Sequence, residues 1–257
     1  MIALSLLFSK QPQQGSVALN SANKWVGGIL DTQNTIREYF ELRQINAGLL
    51  EKNTKLLGEL ALYKRGVDSV YIPLDSVQQE YAYFGAKIIR NSIHLNRNYF
   101  TLNKGSKDGI QEGMGVFNEE GAIGRIRSVS ENYAVGFSIL HTETKLSAVI
   151  ASSGVLGSVS WDGQSAKQAK LDFVPRHVEV AVGDRILTSG FNTIFPPGIP
   201  VGRVSKVETA SGNSNYLDIT IDLEVNFSSL NYVYVVNHTN KEELNELHEA
   251  AQIDDAF

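Results

Sequence analysis

The chain has 257 residues, a net charge of −5 and 42% hydrophobic residues, enough apolar material for one large core or two small ones. Its 23 basic residues are scattered among 28 acidic ones, which argues against a phosphate-backbone footprint and so against nucleic acid as a partner. Without a single cysteine, a disulfide framework, zinc held by thiolates and a cysteine nucleophile are all excluded.

Residues 1–28 open with the apolar run "MIALSLLF", far short of the roughly 20 residues a helix needs to span a bilayer. They read either as a frayed apolar start or as the outer end of a spanning helix whose beginning is missing. Residues 29–65 carry heptads: Tyr39, Asn46, Asn53 and Leu60 fall at one core position, and Leu42, Leu49, Leu56 and Tyr63 at the other. In a parallel pair Glu38 would face Arg43 and Glu59 would face Lys64, so a coiled-coil homodimer is expected. The alternative is an amphipathic helix packed on its own domain, since Ile45, Leu50 and Leu57 widen the stripe.

Gly66 and Pro73 end the helical period, and residues 66–84 read as a linker. From 85 to 237 the chain is a series of short β-rich runs separated by turn residues. They begin with Ala86–Ile93, Tyr99–Asn103, Gly115–Phe117, Ala122–Val129, Ala134–Ile139 and Ser147–Ile150. They continue with Gly154–Trp161, Ala169–Phe173, Asp184–Thr188, Val201–Thr209, Tyr216–Leu223 and Tyr232–Val236. Short antiparallel strands in this number imply sandwiches or closed barrels.

A weak repeat divides them. "IQEGMGVFNEEGAIGRI" from Ile110 and "VAVGDRILTSGFNTIFPPGIPVGRV" from Val180 share one spacing, with a longer loop in the second. Gly113 and Gly183 stand where a tight turn enters a strand, and Gly124 and Gly202 stand inside strands, where glycine marks a bend or a close backbone approach. The long loop is rigid by composition: Pro196 and Pro197 fix φ, Gly198 permits a positive φ, and Pro200 can only open a strand or lie on an edge. An exposed Phe191, Phe195 or Ile199 on it would suit recognition, because a preordered contact loses little entropy on binding. Residues 238–257 read as an acidic, solvated tail.

No catalytic constellation emerges. The histidines at 94, 141, 177, 238 and 248 lack metal-ligand spacing, so no metal or other cofactor is expected. No nucleophile turn of the protease type surrounds Ser189, and Glu119-Glu120 lies in a turn.

The stretches "NKGSKDGIQEGMGVFNEEGAIGRI" and "VGDRILTSGFNTIFPPGIPVGRV", with the heptads "RQINAGLLEKNTKLLGEL" before them, resemble the MreC family of bacterial rod shape-determining proteins, particularly its Bacteroidetes type. The resemblance implies a mainly β fold, an N-terminal coiled-coil helix followed by two small six-stranded antiparallel β-barrels, protease-like in shape without a protease's catalytic set. It implies an inner-membrane protein with one spanning helix and its bulk in the periplasm. Its implied function is a scaffold that couples MreB through MreD to RodA and a class B penicillin-binding transpeptidase, and that self-associates. The competing reading is a periplasmic adaptor of an export pump, although in such adaptors a helical hairpin interrupts a lipoyl-like domain.

Overall fold

A computed structural model describes residues 41–60, 80–209, 214–240 and 247. Tyr39, Tyr63, the segment 1–28 and most of the linker and tail lie outside them. The chain divides into two units, Met1–Lys52 and Asn53–Phe257. Residues 41–60 are helical (α1), and Leu42, Ile45, Leu49, Leu56 and Leu60 are all more than half exposed.

Beyond α1 the described chain forms twelve strands. β1 (Tyr81–Asn91), β2 (Arg97–Leu102), β3 (Gly115–Phe117), β4 (Ala122–Val129), β5 (Ala134–His141) and β12 (Tyr232–His238) close a first barrel in the order β1-β12-β3-β4-β5-β2. β6 (Lys145–Ile150), β7 (Leu156–Ser160), β8 (Gln168–Asp172), β9 (Arg185–Thr188), β10 (Pro200–Thr209) and β11 (Leu217–Leu223) close a second in the order β10-β11-β8-β7-β6-β9. The second barrel is thus inserted between β5 and β12 of the first. Closure leaves neither sheet a free edge.

Every predicted strand is present. The main departure is at β1: Tyr81–Phe84, read from sequence as linker, pair with His238–Val235 of β12. Their partner strand lies near the far end of the chain, so nothing local marks the segment as β, and Gly85 interrupts its alternation. For the same reason β12 runs on to His238, the first residue assigned to the tail.

Alternation builds both cores. In β2, Asn98, Phe100 and Leu102 point inward; in β6, Leu146, Ala148 and Ile150 do. Asn98 is the polar exception, fully buried at the barrel end. Its amide donates to the carbonyls of Leu95 and Leu140 at 2.7 Å each, which satisfies a group that would otherwise be costly to bury.

The repeat extends to individual hydrogen bonds. Gly113 N donates to Ile126 O at 2.9 Å and Ile126 N to Met114 O at 2.8 Å; in the second barrel Gly183 N donates to Val204 O at 2.7 Å and Val204 N to Asp184 O at 2.9 Å. Gly113 and Gly183 both have positive φ, 82° and 95°. A Cβ on Gly124 would lie 2.0 Å from Phe137 O, and one on Gly202 would lie 2.5 Å from Asp222 O, so both strands need glycine where a neighbouring backbone crowds in.

Following the registers outward from these anchors gives one consistent correspondence around both barrels. Gly136 pairs with Ile126 as Ile221 pairs with Val204; Phe100 pairs with Gly136 as Ala169 pairs with Ile221. The core therefore solves one position in two ways. Phe100 lies against a bare Gly136, whose added Cβ would sit 2.2 Å from Phe100 Cζ, while in the second barrel small Ala169 faces large Ile221.

This inversion makes a double-mutant cycle informative. Phe100→Ala should cost about 3–5 kcal/mol and Gly136→Ile several more by steric overlap. The pair together, which copies the second barrel, should recover at least ~1 kcal/mol relative to the sum, once Arg125 O gives way slightly. Denaturant unfolding reads this coupling, and strictly additive losses would reject the correspondence.

Candidate functional site

The repeat also locates a large difference between the barrels. In the first, Asn118 N donates to Gly121 O at 2.9 Å, and the Asn118 side chain accepts from the backbone N–H groups of Glu120 and Gly121, so only Glu119 and Glu120 intervene. In the second, Thr188 N donates to Ile199 O at 2.8 Å at the same register, yet Ser189–Gly198 intervene. Thr188 takes over the closing role of Asn118. Its buried hydroxyl donates to Pro196 O at 2.6 Å and accepts from Ile199 N at 3.0 Å, pinning the long loop shut at its base.

Within the loop, Gly190 and Gly198 have φ of 78° and 92°, and Thr193 holds φ 51°, an unfavourable value for a β-branched residue. Strain of this kind persists only where the surroundings over-determine the backbone. Here they do: Ser189 Oγ shares a hydrogen bond with Ser147 Oγ at 2.8 Å, and Gly190 lies so close to Pro197 that a Cβ there would approach its ring to 3.0 Å. Pro200 opens β10.

The loop reaches the first barrel. A Cβ on Gly115 of β3 would lie 2.5 Å from Ile194 O and 2.9 Å from the Phe195 ring, and one on Gly121 would lie 2.3 Å from Pro200 O. Phe195 and Ile199 are therefore buried in the joint between the barrels, contrary to their expected use as exposed contacts. Phe191 alone of the three is displayed, at 74% exposure. Glu120 adds a polar tie, its carboxylate accepting from Asn226 N at 2.8 Å.

Beside the joint lies an open groove of about 410 Å³, lined by Leu56, Leu57 and Leu60 of α1, Phe117, Tyr234, Ile199 and Pro200 among others. Asn53, read from sequence as a coiled-coil core residue, donates from its side chain to the Tyr234 hydroxyl at 3.2 Å. Leu57 is half-buried and Gly58 buried, whereas Leu56 and Leu60 stay open. Asn46 and Leu49 lie on the preceding turns, both exposed.

The joint is chemically quiet. Its hydroxyls from Ser147, Thr188 and Ser189 are engaged with backbone or with each other, without a base among them. His141 is buried and stacked on Phe137 with ring centroids 4.3 Å apart; burial holds its imidazole below the usual histidine range. His238 lies 3.5 Å from the Glu80 carboxylate. Among the described residues no cluster of potential metal ligands occurs, and no helix is long and apolar enough to cross a membrane.

Residues 88–237 match the family model described as the barrel core of the rod shape-determining protein MreC. The cell shape-determining protein MreC of Haemophilus influenzae is 30% identical over 76% of this chain, and that of Listeria monocytogenes 27% identical over 72%. The chain spans 55% and 63% of the length of these two relatives. Among solved structures, MreC of Listeria monocytogenes superposes with a TM-score of 0.58 at 25% identity, covering 79% of this chain and 92% of that one. The MreC of Helicobacter pylori solved as a complex with the penicillin-binding protein PBP2 superposes at 0.52 and 23% identity, covering 62% of this chain and 99% of that one.

Two substitutions separate the buried from the displayed aromatic. Phe195→Ala should destabilise the protein by about 3–5 kcal/mol through the cavity left in the joint. Phe191→Ala should stay within about 0.5 kcal/mol of the parent. Equal losses on denaturant unfolding would contradict the arrangement of the loop.

Proposed function

Since the chain belongs to the MreC family of rod shape-determining proteins, we propose that it is a non-catalytic periplasmic scaffold of the cell-elongation machinery, organising peptidoglycan synthases and maintaining cell shape. The observation that carries this reading is the use to which the site's residues are put. Thr188, Phe195, the prolines and the tight glycines are spent on holding two barrels together, which suits a platform rather than a reaction centre.

The partner best supported is a class B penicillin-binding transpeptidase, because the Helicobacter pylori relative was solved in complex with PBP2. RodA, MreD and MreB complete the assembly that the family resemblance implies, with residues 1–28 as the membrane-proximal remnant of a helix that spans the inner membrane. The coiled-coil core positions Leu42, Leu49 and Leu56, with Leu60 at the other core position, are exposed along α1 and form the surface through which two copies pair. Pairing puts two pairs of barrels on one platform, so that affinity for neighbouring enzymes rises through avidity without any turnover. The export-adaptor reading loses ground, because α1 precedes all twelve strands instead of interrupting a domain.

Light scattering on the full chain tests the pairing. The parent should be a dimer, and Leu49→Asp with Leu56→Asp should give a monomer with unchanged barrel melting. A parent that is monomeric at micromolar concentration would remove the coiled-coil platform.

A further inference from the structure

The correspondence between the barrels carries a consequence for how the chain is tied together. Written from the same starting point, the first barrel reads β12-β3-β4-β5-β2-β1 and the second β6-β9-β10-β11-β8-β7. Five consecutive strands, β1 to β5, match five consecutive strands, β7 to β11, in order. The sixth position breaks the pattern. β6 follows β5 in the chain but sits in the second barrel, and β12 follows β11 but sits in the first.

The two sixth strands occupy equivalent seats. Val235 pairs with Val116 of β3, and Ile150 pairs with Ile186 of β9; the glycine anchors make Val116 and Ile186 counterparts. Val233 and Ala148 correspond likewise, and all four residues are fully buried. On the other side β12 pairs with β1 as β6 pairs with β7.

We infer that the two barrels are copies of one six-strand unit that have exchanged their sixth strands within the chain, so that each half, β1–β6 and β7–β12, is completed only by the other. The connections explain why β6 leaves its own half. In the first barrel the sixth seat lies directly across the mouth from β5, more than two strand spacings or about 10 Å away. The link from β5 to β6 is only Thr142–Thr144, and it is turned, with Thr144 N donating to His141 O at 2.9 Å, so its ends stay within about 7 Å. It is also anchored: Thr142 N and Oγ1 both donate to Asn96 O, at 3.1 and 3.2 Å, and Arg97 pairs with Glu143.

The first barrel's seat is therefore left for β12. The return link, Glu224–Asn231, is longer and is fixed to both barrels. Glu224 N donates to Val201 O at 3.1 Å, Phe227 is buried, and Asn91 donates to Phe227 O at 2.6 Å. The exchange makes the barrel pair an interlock: parting the halves requires two buried strands to leave two closed barrels, whereas an ordinary interface would need only to be peeled apart.

The turn Ala151–Gly154 joins the halves between β6 and β7, and its residues are exposed. A site-specific protease sequence inserted after Ser153 of the full chain allows the folded protein to be cut there. The halves are expected to remain one species on native mass spectrometry at micromolar dilution, with the fluorescence of buried Trp161 unchanged in a Trp25→Phe background. Ile150→Ala and Val235→Ala should each lower the urea midpoint at which the cut halves part, and together lower it by about the sum. Two results overturn the inference: halves that separate on cutting without denaturant, or cut halves that come apart on Phe195→Ala alone, which would mean that the joint and not the exchange holds them.

Discussion

Barrel closure across the chain is the constraint on which the other features depend. A β-strand with an unpaired edge exposes a row of backbone donors and acceptors, and a six-stranded sheet avoids that only by finding a sixth strand for each seat. In the first barrel that strand is β12, held between β1 and β3 with Val233 and Val235 fully buried. Because it arrives from beyond the second barrel, the first can close only after the chain has passed through its neighbour. Long-range closure of this kind is entropically costly to form and correspondingly cooperative once formed.

Given closure, the relative placement of the barrels becomes a matter of local packing, and here the two copies diverge. The short Asn118–Gly121 turn and the long Thr188–Ile199 loop begin at one register, with one side-chain device closing each. The second copy's longer loop carries Phe195, which fills the space over Gly115. A bare glycine on one barrel and a buried ring from the other form a lock that tolerates little change in size on either side. The same loop leaves Phe191 in solvent, so one segment supplies both the joint and an apolar projection beside it.

Much of this was legible in the sequence because it is local. Alternation located the strands, and the Gly-x-x apolar spacing located the repeat, since turn residues and inward positions leave their mark within a few residues. The glycines at 113, 124, 183 and 202 stood out for the same reason, as positions where a side chain has no room or a backbone needs positive φ. What did not show was anything decided by distant pairing. Tyr81–Phe84 looked like linker because pairing with β12 is what makes the segment a strand. Phe191 and Phe195 are chemically alike and four residues apart, and only the approach of β3 buries one of them. Asn53 fits a heptad position by spacing, while its hydrogen bond to Tyr234 depends on a strand near the end of the chain.

A platform transmits position only if it does not flex, so the two barrels must move as one body. The absence of native cysteine makes a direct test simple: spin labels on Gln111→Cys in the first barrel and Gln164→Cys in the second, both exposed positions, report the distance between them by pulsed electron resonance. One narrow distribution is predicted, unaltered by Phe191→Ala. A broad or two-peaked distribution in the parent protein would show that the barrels swing independently and would contradict the rigid-scaffold account.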